Sequence, residues 1–397
     1  MQPIEFLPLA AHAVDYPRPR FTFLPPLALS HWLGRATETP HSAFIPPGPL
    51  YMYGRYALVE ALRRAGVGRD TAVLLPAFHC RTIVDAVLHL EAEPRFYPVD
   101  ARLAPDFGRL ADLAAPGDVR ALLLTHNFGF ANVPDEAEAF CRARGIALVE
   151  DCAHAFYGSH NGRALGSIGQ YATASAWKFF PVRYGAMLRD NTGGGATRLA
   201  QQPLVKELKG IAALVTQGAG REDMPREPDL DALHARALEL DAREQPRLGL
   251  RHDPDSFRPD WVRLAAPRAF AWVVASAAHG HIADRRRANY RLWLDGLRGL
   301  EGVTPLFPEL PAQIVPYAFP LLADSRGLIF HALKLAGIPI WRWEDMAMPA
   351  IADCPVAADY RLRLLQLPCH QGLDDADIAW MTATVAKVVK RFAPTIQ

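Results

Sequence analysis

Short apolar runs alternate with amphipathic stretches along residues 54–190. The runs TAVLLPAF, ALLLTHNFG and IALVEDCAHA have the length and near-continuous hydrophobicity of strands that are buried on both faces. Between them, the segments GRYALVEALRR, RTIVDAVLHLEA and DEAEAFCRARG are predicted to be helices. Strands that alternate with helices predict βα units and a parallel sheet with helices on both faces. We therefore expect an α/β domain of three layers.

This regular alternation is missing on either side of the region. Residues 1–50 are rich in proline and show no clear periodicity, so they are predicted to form an extended arm with short helical turns. Residues 192–250 begin with TGGG and contain charged segments such as GREDMPREPD, which indicates an insertion of loops and helices. We assign residues 51–250, with this insertion included, to the large domain.

The last third of the chain has a different pattern. One long helix is predicted through residues 269–297, with the triple arginine Arg285, Arg286 and Arg287 on a solvated face. The strand-like segments IVPYAFPLL and IPIWRW are mixed with the helical segments GLIFHALKLAG and DDADIAWMTATVAKVVKRF. This mixture predicts a smaller α+β domain over residues 251–397.

Composition excludes several classes of function. The 397 residues are 50% hydrophobic with a net charge of +1, so no basic excess points to a nucleic acid partner. No apolar stretch has the length of a membrane span, and no signal peptide is recognisable. The cysteines lack the CxxC spacing of zinc sites, and Cys152, His154 and His160 have no second ligand pair. We expect no bound metal and a cytoplasmic protein with reduced thiols.

One lysine stands apart from the rest of the charged residues. The chain has six lysines against 37 arginines, and none precedes Lys178, which lies between Trp177 and Phe179 in TASAWKFFPV. A desolvated lysine can lose its proton and act as a nucleophile, which a guanidinium cannot do. Lys178 is therefore a candidate catalytic residue. The alternative is a structural lysine whose stem packs on aromatic rings while its amine reaches solvent.

Ionisable residues follow three successive strand-like runs. His126 follows ALLLT, Asp151 ends IALVED, and Lys178 follows YATASAW. Ligands of an open parallel sheet bind beyond the carboxyl ends of its strands, so we expect these side chains along one edge of a binding site. Each residue alone is more typical of a cap or a turn. The coincidence of all three favours a site.

A carboxylate and an amine at this edge suit pyridoxal 5′-phosphate (PLP). The amine of Lys178 would bind the cofactor's aldehyde covalently, and Asp151 would keep the pyridine nitrogen protonated. The phosphate needs an anion site, for which we propose the helix start at Gly54, Arg55 and Tyr56, together with the Ser175 hydroxyl. Neither a GxxxxGK[ST] loop nor a GxGxxG segment after the first strand is present, which disfavours an ATPase or a Rossmann dehydrogenase.

The order of these motifs resembles a known family. GRYAL, LLPAFHCRT, LTHNFG, VEDCAHAFYGS, GRALGSIGQYA and SAWKFFPVRYGAML, followed by ADRRRANY, PYAFPLL and LPCHQGLDDADI, resemble the DegT/StrS nucleotide-sugar aminotransferases. The resemblance covers about residues 50–190 and 260–390. It implies the PLP-dependent transferase fold of type I, which is aspartate aminotransferase-like, with a large α/β/α domain and a small C-terminal α+β domain. It also implies a homodimer in which each subunit completes the partner's site.

The resemblance assigns roles to particular residues. It implies that Lys178 binds PLP covalently, that Asp151 pairs with the pyridine nitrogen, and that His154 lies near the ring where most members have glutamine. The phosphate would be held by Gly54, Arg55, Tyr56 and Ser175. Ring stacking would come from the PAFHC loop, in which Phe78, His79 and Cys80 remain alternatives, and His126 is the further candidate cofactor contact.

Two segments depart from the family pattern. Tyr184-Gly185-Ala186 follows the lysine segment, where most members have two glycines, and DWVRLAAPR lacks the asparagine that a partner subunit usually offers to the phosphate.

Three functions remain in view. The leading hypothesis is a PLP-dependent aminotransferase that acts on a keto sugar, nucleotide-linked, with a donor such as glutamate, in surface polysaccharide or secondary-metabolite biosynthesis. Lys178, Asp151 and His154 would be its catalytic residues. The alternatives are a PLP-dependent sugar dehydratase, or other PLP chemistry on the same fold, and a non-catalytic regulatory homologue. Dehydratases of this fold carry histidine in place of the lysine, so Lys178 favours the aminotransferase.

Overall fold

A computed structural model describes most of the chain. The described residues are 4–7, 16–34, 38–195, 197–216, 229–243, 250–251, 257–343 and 345–396.

The described residues form thirteen helices and fourteen strands. The helices are α1 (Ser30–Leu33), α2 (Gly54–Arg64), α3 (Arg81–His89), α4 (Phe107–Ala114), α5 (Pro134–Arg144), α6 (Leu204–Thr216), α7 (Leu230–Arg243), α8 (Arg268–Ala275), α9 (His279–Gly296), α10 (Leu328–Leu335), α11 (Met348–Asp353), α12 (Pro355–Arg363) and α13 (Asp375–Ile396). The strands are β1 (Glu5–Leu7), β2 (Ala72–Pro76), β3 (Glu93–Tyr97), β4 (Val119–Thr125), β5 (Ala147–Cys152), β6 (Ser159–His160), β7 (Arg163–Ala164), β8 (Tyr171–Ser175), β9 (Ala186–Asp190), β10 (Leu250–Arg251), β11 (Val303–Pro305), β12 (Ala318–Ala323), β13 (Met346–Ala347) and β14 (Leu364–Pro368).

A six-stranded sheet forms the centre of the large α/β region. Its strand order is β3-β2-β4-β5-β8-β9, with all neighbours parallel except the β8–β9 pair at the edge. Strands β2 and β8 are buried throughout, and β4 and β5 are buried at all but one position each. Helices α2 to α5 pack against these strands. The prediction of a mostly parallel sheet within an α/β fold is confirmed.

Local signals explain where the connecting helices begin and end. Helix α4 begins after Asp106, whose carboxylate accepts the N–H groups of Gly108 and Arg109. Helix α5 begins with Pro134 and ends at Gly145, which adopts a φ of 65°. Proline in the first turn and a left-handed glycine after the last are the ends that a short α/β connection requires.

Two smaller sheets bring distant parts of the chain together. Strands β11, β12 and β14 form an antiparallel sheet near the C-terminus. Strand β1 of the arm pairs with β10 on one side and with β13 on the other. Helix α7 packs against α10 and α13, so the predicted insertion lies against the C-terminal part of the chain. The domain boundaries at residues 50 and 250 stay predictions.

The predicted long helix through residues 269–297 is wrong. The chain forms α8 and α9 instead, separated at residues 276–278. The N–H of Ala278 donates to the carbonyl of His31 in the arm at 2.8 Å, rather than to a carbonyl within the helix. The Ser276 hydroxyl also turns back to the carbonyl of Trp272 at 2.7 Å. A tertiary contact with the arm therefore interrupts a sequence that favours continuous helix.

Two further predictions in the C-terminal region are wrong. Arg286 does not lie on a solvated face, because its side chain is fully buried. The segment IPIWRW forms no strand and contributes only an isolated bridge between Trp341 and Gln366. No helix among the described residues is both long and apolar enough to cross a membrane.

Candidate active site

The parallel strands β4, β5 and β8 end within two residues of one another. Thr125 of β4 pairs with Asp151 of β5, which in turn pairs with Thr173 of β8. Lys178 follows β8 in a single 3₁₀ turn. A pocket opens at this edge and brings together eight of the eleven predicted site residues, namely Gly54, Arg55, His79, Cys80, Asp151, His154, Ser175 and Lys178.

Aromatic rings surround the amine of Lys178. Its Nζ lies 5.7 Å from the ring centroid of Trp177 and 5.3 Å from that of Tyr317. None of the residues that the structure describes forms an ion pair or a hydrogen bond with this Nζ. Burial lowers the pKa of Lys178, and the nearby Cys80 and Asp151 oppose this shift only in part. The site therefore favours the unprotonated, nucleophilic amine more than water does.

Asp151 is the buried carboxylate of the pocket. Its Oδ1 accepts the N–H of Ala153 at 3.0 Å. Burial raises the pKa of Asp151, although the Ala153 N–H and the positive charge of Lys178 oppose the rise. A buried carboxylate of this kind is stabilised by a cationic ligand, so the pocket suits a protonated ring nitrogen.

His154 is held as a neutral hydrogen-bond donor. Its ring stacks on Tyr317, with centroids 4.4 Å apart, and its Nδ1 accepts the N–H of Phe128 at 3.3 Å. Burial lowers the pKa of His154 well below its ordinary value. Because Nδ1 acts as the acceptor in a neutral ring, Nε2 carries the hydrogen.

The three alternatives of the PAFHC loop separate in the structure. Phe78 does not line the pocket, because it stacks on Trp343 with centroids 4.9 Å apart. His79 lines it, but Nδ1 donates to Ala77 O at 2.8 Å and Nε2 accepts the N–H of Ala347 at 3.2 Å. Cys80 is half-buried and also lines the pocket. Of the three, Cys80 is the residue whose side chain is best placed to contact a ring.

The start of α2 forms the end of the pocket that suits an anion. A Cβ atom on Gly54 would lie 3.1 Å from the Ser175 hydroxyl, so a side chain here would press on that hydroxyl. The N-terminus of this eleven-residue helix, at Gly54 and Arg55, borders the same space, where backbone N–H groups favour an anion. Tyr56 does not line the pocket, and its hydroxyl accepts the N–H of Arg258 at 3.2 Å, so its predicted part in holding the phosphate stays a prediction. The donors present fit a phosphate.

The predicted cofactor contact from His126 is wrong. Its backbone lies at the expected sheet edge, but its Nε2 donates to Glu150 at 3.0 Å and its Nδ1 accepts the N–H of Asn132 at 3.2 Å. Burial opposes ionisation of Glu150, but His126 and backbone N–H groups outweigh it and lower the pKa of this carboxyl. Glu150 was missed by sequence reasoning. The signal available was its place next to Asp151, since consecutive residues of a strand face opposite sides.

Glu150 belongs to the structural side of the sheet. Its carboxylate accepts N–H groups of Gly166, Ile168 and Gly169 at 2.7–2.9 Å. Potential metal-binding atoms of His126, Glu150 and Cys152 lie within 4.8 Å of one another. Because protein groups already occupy the oxygens of Glu150 and both ring nitrogens of His126, this cluster fits an internal hydrogen-bond network better than a metal site.

The wall opposite the sheet comes from distant parts of the chain. Tyr317, Trp341, Trp343 and Gln366 line the pocket there. Phe23 of the arm stacks on Trp341, with centroids 4.1 Å apart, and leaves the indole 37% exposed. Gln366 is 1% exposed, and no described residue forms a hydrogen bond with its side-chain amide. Sequence reasoning missed Tyr317 and Gln366, because no local pattern links them to Lys178.

Comparison with known proteins agrees with this geometry. Residues 53–196 match the model of the DegT/DnrJ/EryC1/StrS aminotransferase family, and these residues contain the sheet and all eight predicted residues in the pocket. This part of the chain is therefore similar to that family. The predicted α/β fold of the PLP-dependent transferases is confirmed as well.

Individual relatives support the assignment. The chain is 26% identical to a UDP-N-acetyl-3-dehydro-α-D-glucosamine 3-aminotransferase of Acidithiobacillus ferrooxidans, over 85% of the chain and 82% of the relative. It is 25% identical to a dTDP-4-dehydro-2,3,6-trideoxy-D-glucose 4-aminotransferase of Saccharopolyspora spinosa, over 91% of each. The solved PLP form of Spr1654 from Streptococcus pneumoniae has the same fold, with a TM-score of 0.62 at 16% identity over 93% of this chain and 98% of that one.

Replacing Asp151 with asparagine tests the cost of the buried carboxylate. Because the folded-state pKa is raised, ionising Asp151 lowers stability at any pH above that pKa, and protonation at low pH removes the cost. Without PLP, we expect Asp151→Asn to raise Tm by about 2 °C at pH 8, with the gain vanishing toward pH 4. Calorimetry from pH 4 to 8 measures this. The exposed Asp353→Asn is the control, and a loss of stability at every pH would contradict the prediction.

Proposed function

We propose that the protein is a member of this family and a PLP-dependent aminotransferase. It would transfer an amino group from an amino acid such as glutamate to a keto sugar, nucleotide-linked in the leading form of the proposal. The observation that carries it is the pairing of a desolvated amine, Lys178, with a buried carboxylate, Asp151, in one pocket. Both named relatives act on nucleotide-linked keto sugars, which supports the choice of acceptor.

The residues of the pocket divide the chemistry between them. When bound, PLP supplies an aldehyde that takes up the amino group and a ring that accepts electrons. The amine of Lys178 would hold the cofactor covalently and, when released from it, would accept at Nζ the proton from the α-carbon of the amino donor. The lowered pKa of Lys178 keeps a larger fraction of this amine unprotonated near neutral pH.

Other groups hold the cofactor. Asp151 would pair with the ring nitrogen and keep it protonated, and the resulting ion pair would offset the cost of burying the carboxylate. Neutral His154 would offer its Nε2–H to an oxygen on the ring. The N–H groups that begin at Gly54 and the Ser175 hydroxyl would hold the phosphate, with Arg55 beside them.

The wall opposite the sheet is suited to the acceptor. The indole rings of Trp341 and Trp343 offer apolar faces, on which the C–H face of a sugar ring packs. The buried amide of Gln366 can both donate a hydrogen bond to a sugar hydroxyl and accept one from it. An amino acid donor has no ring hydroxyls, so this contact would serve the keto sugar alone.

Reduction with borohydride tests the proposed cofactor and its attachment. With PLP the protein should show the absorbance band of a lysine-bound cofactor, and borohydride should fix the mass of reduced PLP on the peptide that contains Lys178. Addition of L-glutamate should then remove the band from unreduced protein. Lys178→Ala should prevent labelling, whereas the exposed Lys206→Ala should not. Protein that takes up no PLP would contradict both PLP enzyme functions, and a band that survives every amino donor would favour the dehydratase or the regulatory homologue.

Replacing Gln366 with leucine tests the acceptor wall. The change keeps the size of the side chain and removes its polar atoms, so KM for the keto sugar should rise about tenfold, as expected for one lost hydrogen bond. The rate of the half-reaction with L-glutamate should stay the same. The exposed Gln313→Leu is the matched control. Equal effects on the two half-reactions would contradict a contact that is specific to the acceptor.

We further propose that the protein is a cytoplasmic homodimer. Helices α6 and α8 pack together and expose Leu204, Val205, Leu208 and Trp272, each more than half accessible. A patch of this kind on a globular protein favours a protein partner, and the sites of this family are completed by a second copy. Light scattering should give twice the chain mass of 43.8 kDa, and Leu208→Glu should lower it to one chain. A monomeric mass for the unaltered protein would contradict the proposal.

A further inference from the structure

Arg286 is a fully buried cation that directly contacts the backbone of the candidate catalytic lysine. From the middle of α9, its Nη2 donates to the carbonyl of Lys178 at 2.9 Å. Its Nη1 donates to the carbonyls of Pro316 and Tyr317 at 3.2 and 3.0 Å. Its Nε donates to Oε1 of Gln371 at 3.0 Å. One planar guanidinium thus joins three separate segments of the chain.

The partners of this arginine are all neutral. Within the part of the chain that the structure describes, Arg286 forms no ion pair, and the Phe179 ring lies 4.4 Å from its Cζ. Burial lowers the pKa of Arg286, but a guanidinium stays protonated under any condition in which the protein is folded. Burying a charge without a counter-ion is costly, and the hydrogen bonds to four neutral acceptors offset that cost here. Arg286 therefore has a purpose beyond packing.

Gln371 extends the same contact by one residue. Its Nε2 donates to the carbonyl of Phe179 at 2.8 Å while its Oε1 accepts from Arg286. Two consecutive carbonyls, those of Lys178 and Phe179, are therefore fixed by side chains from α9 and from the turn after β14. The segment that carries the lysine cannot shift without breaking hydrogen bonds of buried groups.

We propose that Arg286, together with Gln371, is a positioning residue that holds Lys178 at the reacting end of the pocket, an inference that rests on the proposed attachment of PLP to Lys178. The guanidinium binds the backbone of Lys178 and the backbone of Tyr317, whose ring lies 5.3 Å from the lysine amine. It thereby fixes the distance between the amine and this wall of the pocket. The Tyr317 ring in turn stacks on His154, so the guanidinium of Arg286 also affects the position of this second candidate catalytic residue.

Loss of the hydrogen bonds from Arg286 should raise the pKa of the Lys178 amine. If the backbone of Lys178 is released, the amine moves toward solvent and regains hydration, so its pKa rises toward the ordinary lysine value. Four titratable groups face the amine or lie beside it: Cys80, Asp151, His154 and Tyr317. None of them is changed in the variants below, so a shift reports on the position of Lys178.

The test compares one variant each of Arg286 and Gln371 with variants of the two arginines next to Arg286 on α9. Arg286→Lys keeps the charge but cannot form the planar fork, and Gln371→Leu removes both of its hydrogen bonds. Arg285→Lys and Arg287→Lys make the same exchange at positions whose guanidinium groups bind other partners. The first readout is the pH midpoint at which an N-hydroxysuccinimide acetate labels Lys178 in protein without PLP, followed by peptide mass spectrometry. The second is the rate of PLP attachment.

We expect Arg286→Lys and Gln371→Leu each to raise the labelling midpoint by about one pH unit. Each should also slow PLP attachment roughly tenfold or more, because small displacements of a reacting group are costly. The two controls should match the unaltered protein. Calorimetry records Tm in parallel, because a purely structural role would lower Tm and leave the labelling midpoint unchanged. That result, or equal shifts in the controls, would overturn the proposal. If the unaltered protein does not attach PLP, the proposed function fails, while the labelling midpoint still tests whether Arg286 and Gln371 position Lys178.

Discussion

The close alignment of the ends of β4, β5 and β8 is the constraint on which the site depends. Parallel pairing aligns Thr125, Asp151 and Thr173, so the chain leaves all three strands at one edge of the sheet. A shift of one residue in the pairing of two strands would turn all side chains of one strand to the opposite face of the sheet. The register of these buried strands is therefore strongly constrained. The carboxylate of Asp151 and the turn that carries Lys178 therefore lie in the same space wherever this sheet forms. The start of α2 supplies N–H groups to that space.

Two adjacent carboxylates on β5 show how the same strand serves structure and function. Glu150 accepts three backbone N–H groups and one histidine N–H, and its pKa is lowered. Asp151 faces the other side, accepts the N–H of Ala153, and its pKa is raised. Glu150 is thus fully satisfied by the protein and fixes the loop at residues 166–169. Asp151 keeps capacity for a cationic ligand, which is what a binding site requires.

Local patterns predicted those parts of the structure that local interactions determine. The strands and helices from α2 to β8, and the place of Asp151 and Lys178 at one edge, follow from periodicity and from the geometry of parallel sheets. Arg286 is buried because it binds carbonyls at residues 316–317 and the side chain of Gln371, which are distant in sequence. The local sequence of three consecutive arginines therefore predicted a solvated helix face. His126 was misplaced for a related reason. Its backbone position follows from the sheet, whereas its ring direction depends on Glu150.

Arg286 and Lys178, which are joined by a hydrogen bond, show how arginine and lysine differ in use. A chain with 37 arginines and six lysines uses the guanidinium of Arg286 where several carbonyls must be held by a fixed array of donors. It uses an amine at Lys178, where the proposed function needs proton loss and covalent attachment. Exchanging the two residue types would remove both properties at once, because an ammonium group lacks the planar fork and a guanidinium does not give up its proton. At these two positions, the guanidinium of Arg286 suits a group that positions, and the amine of Lys178 suits a group that reacts.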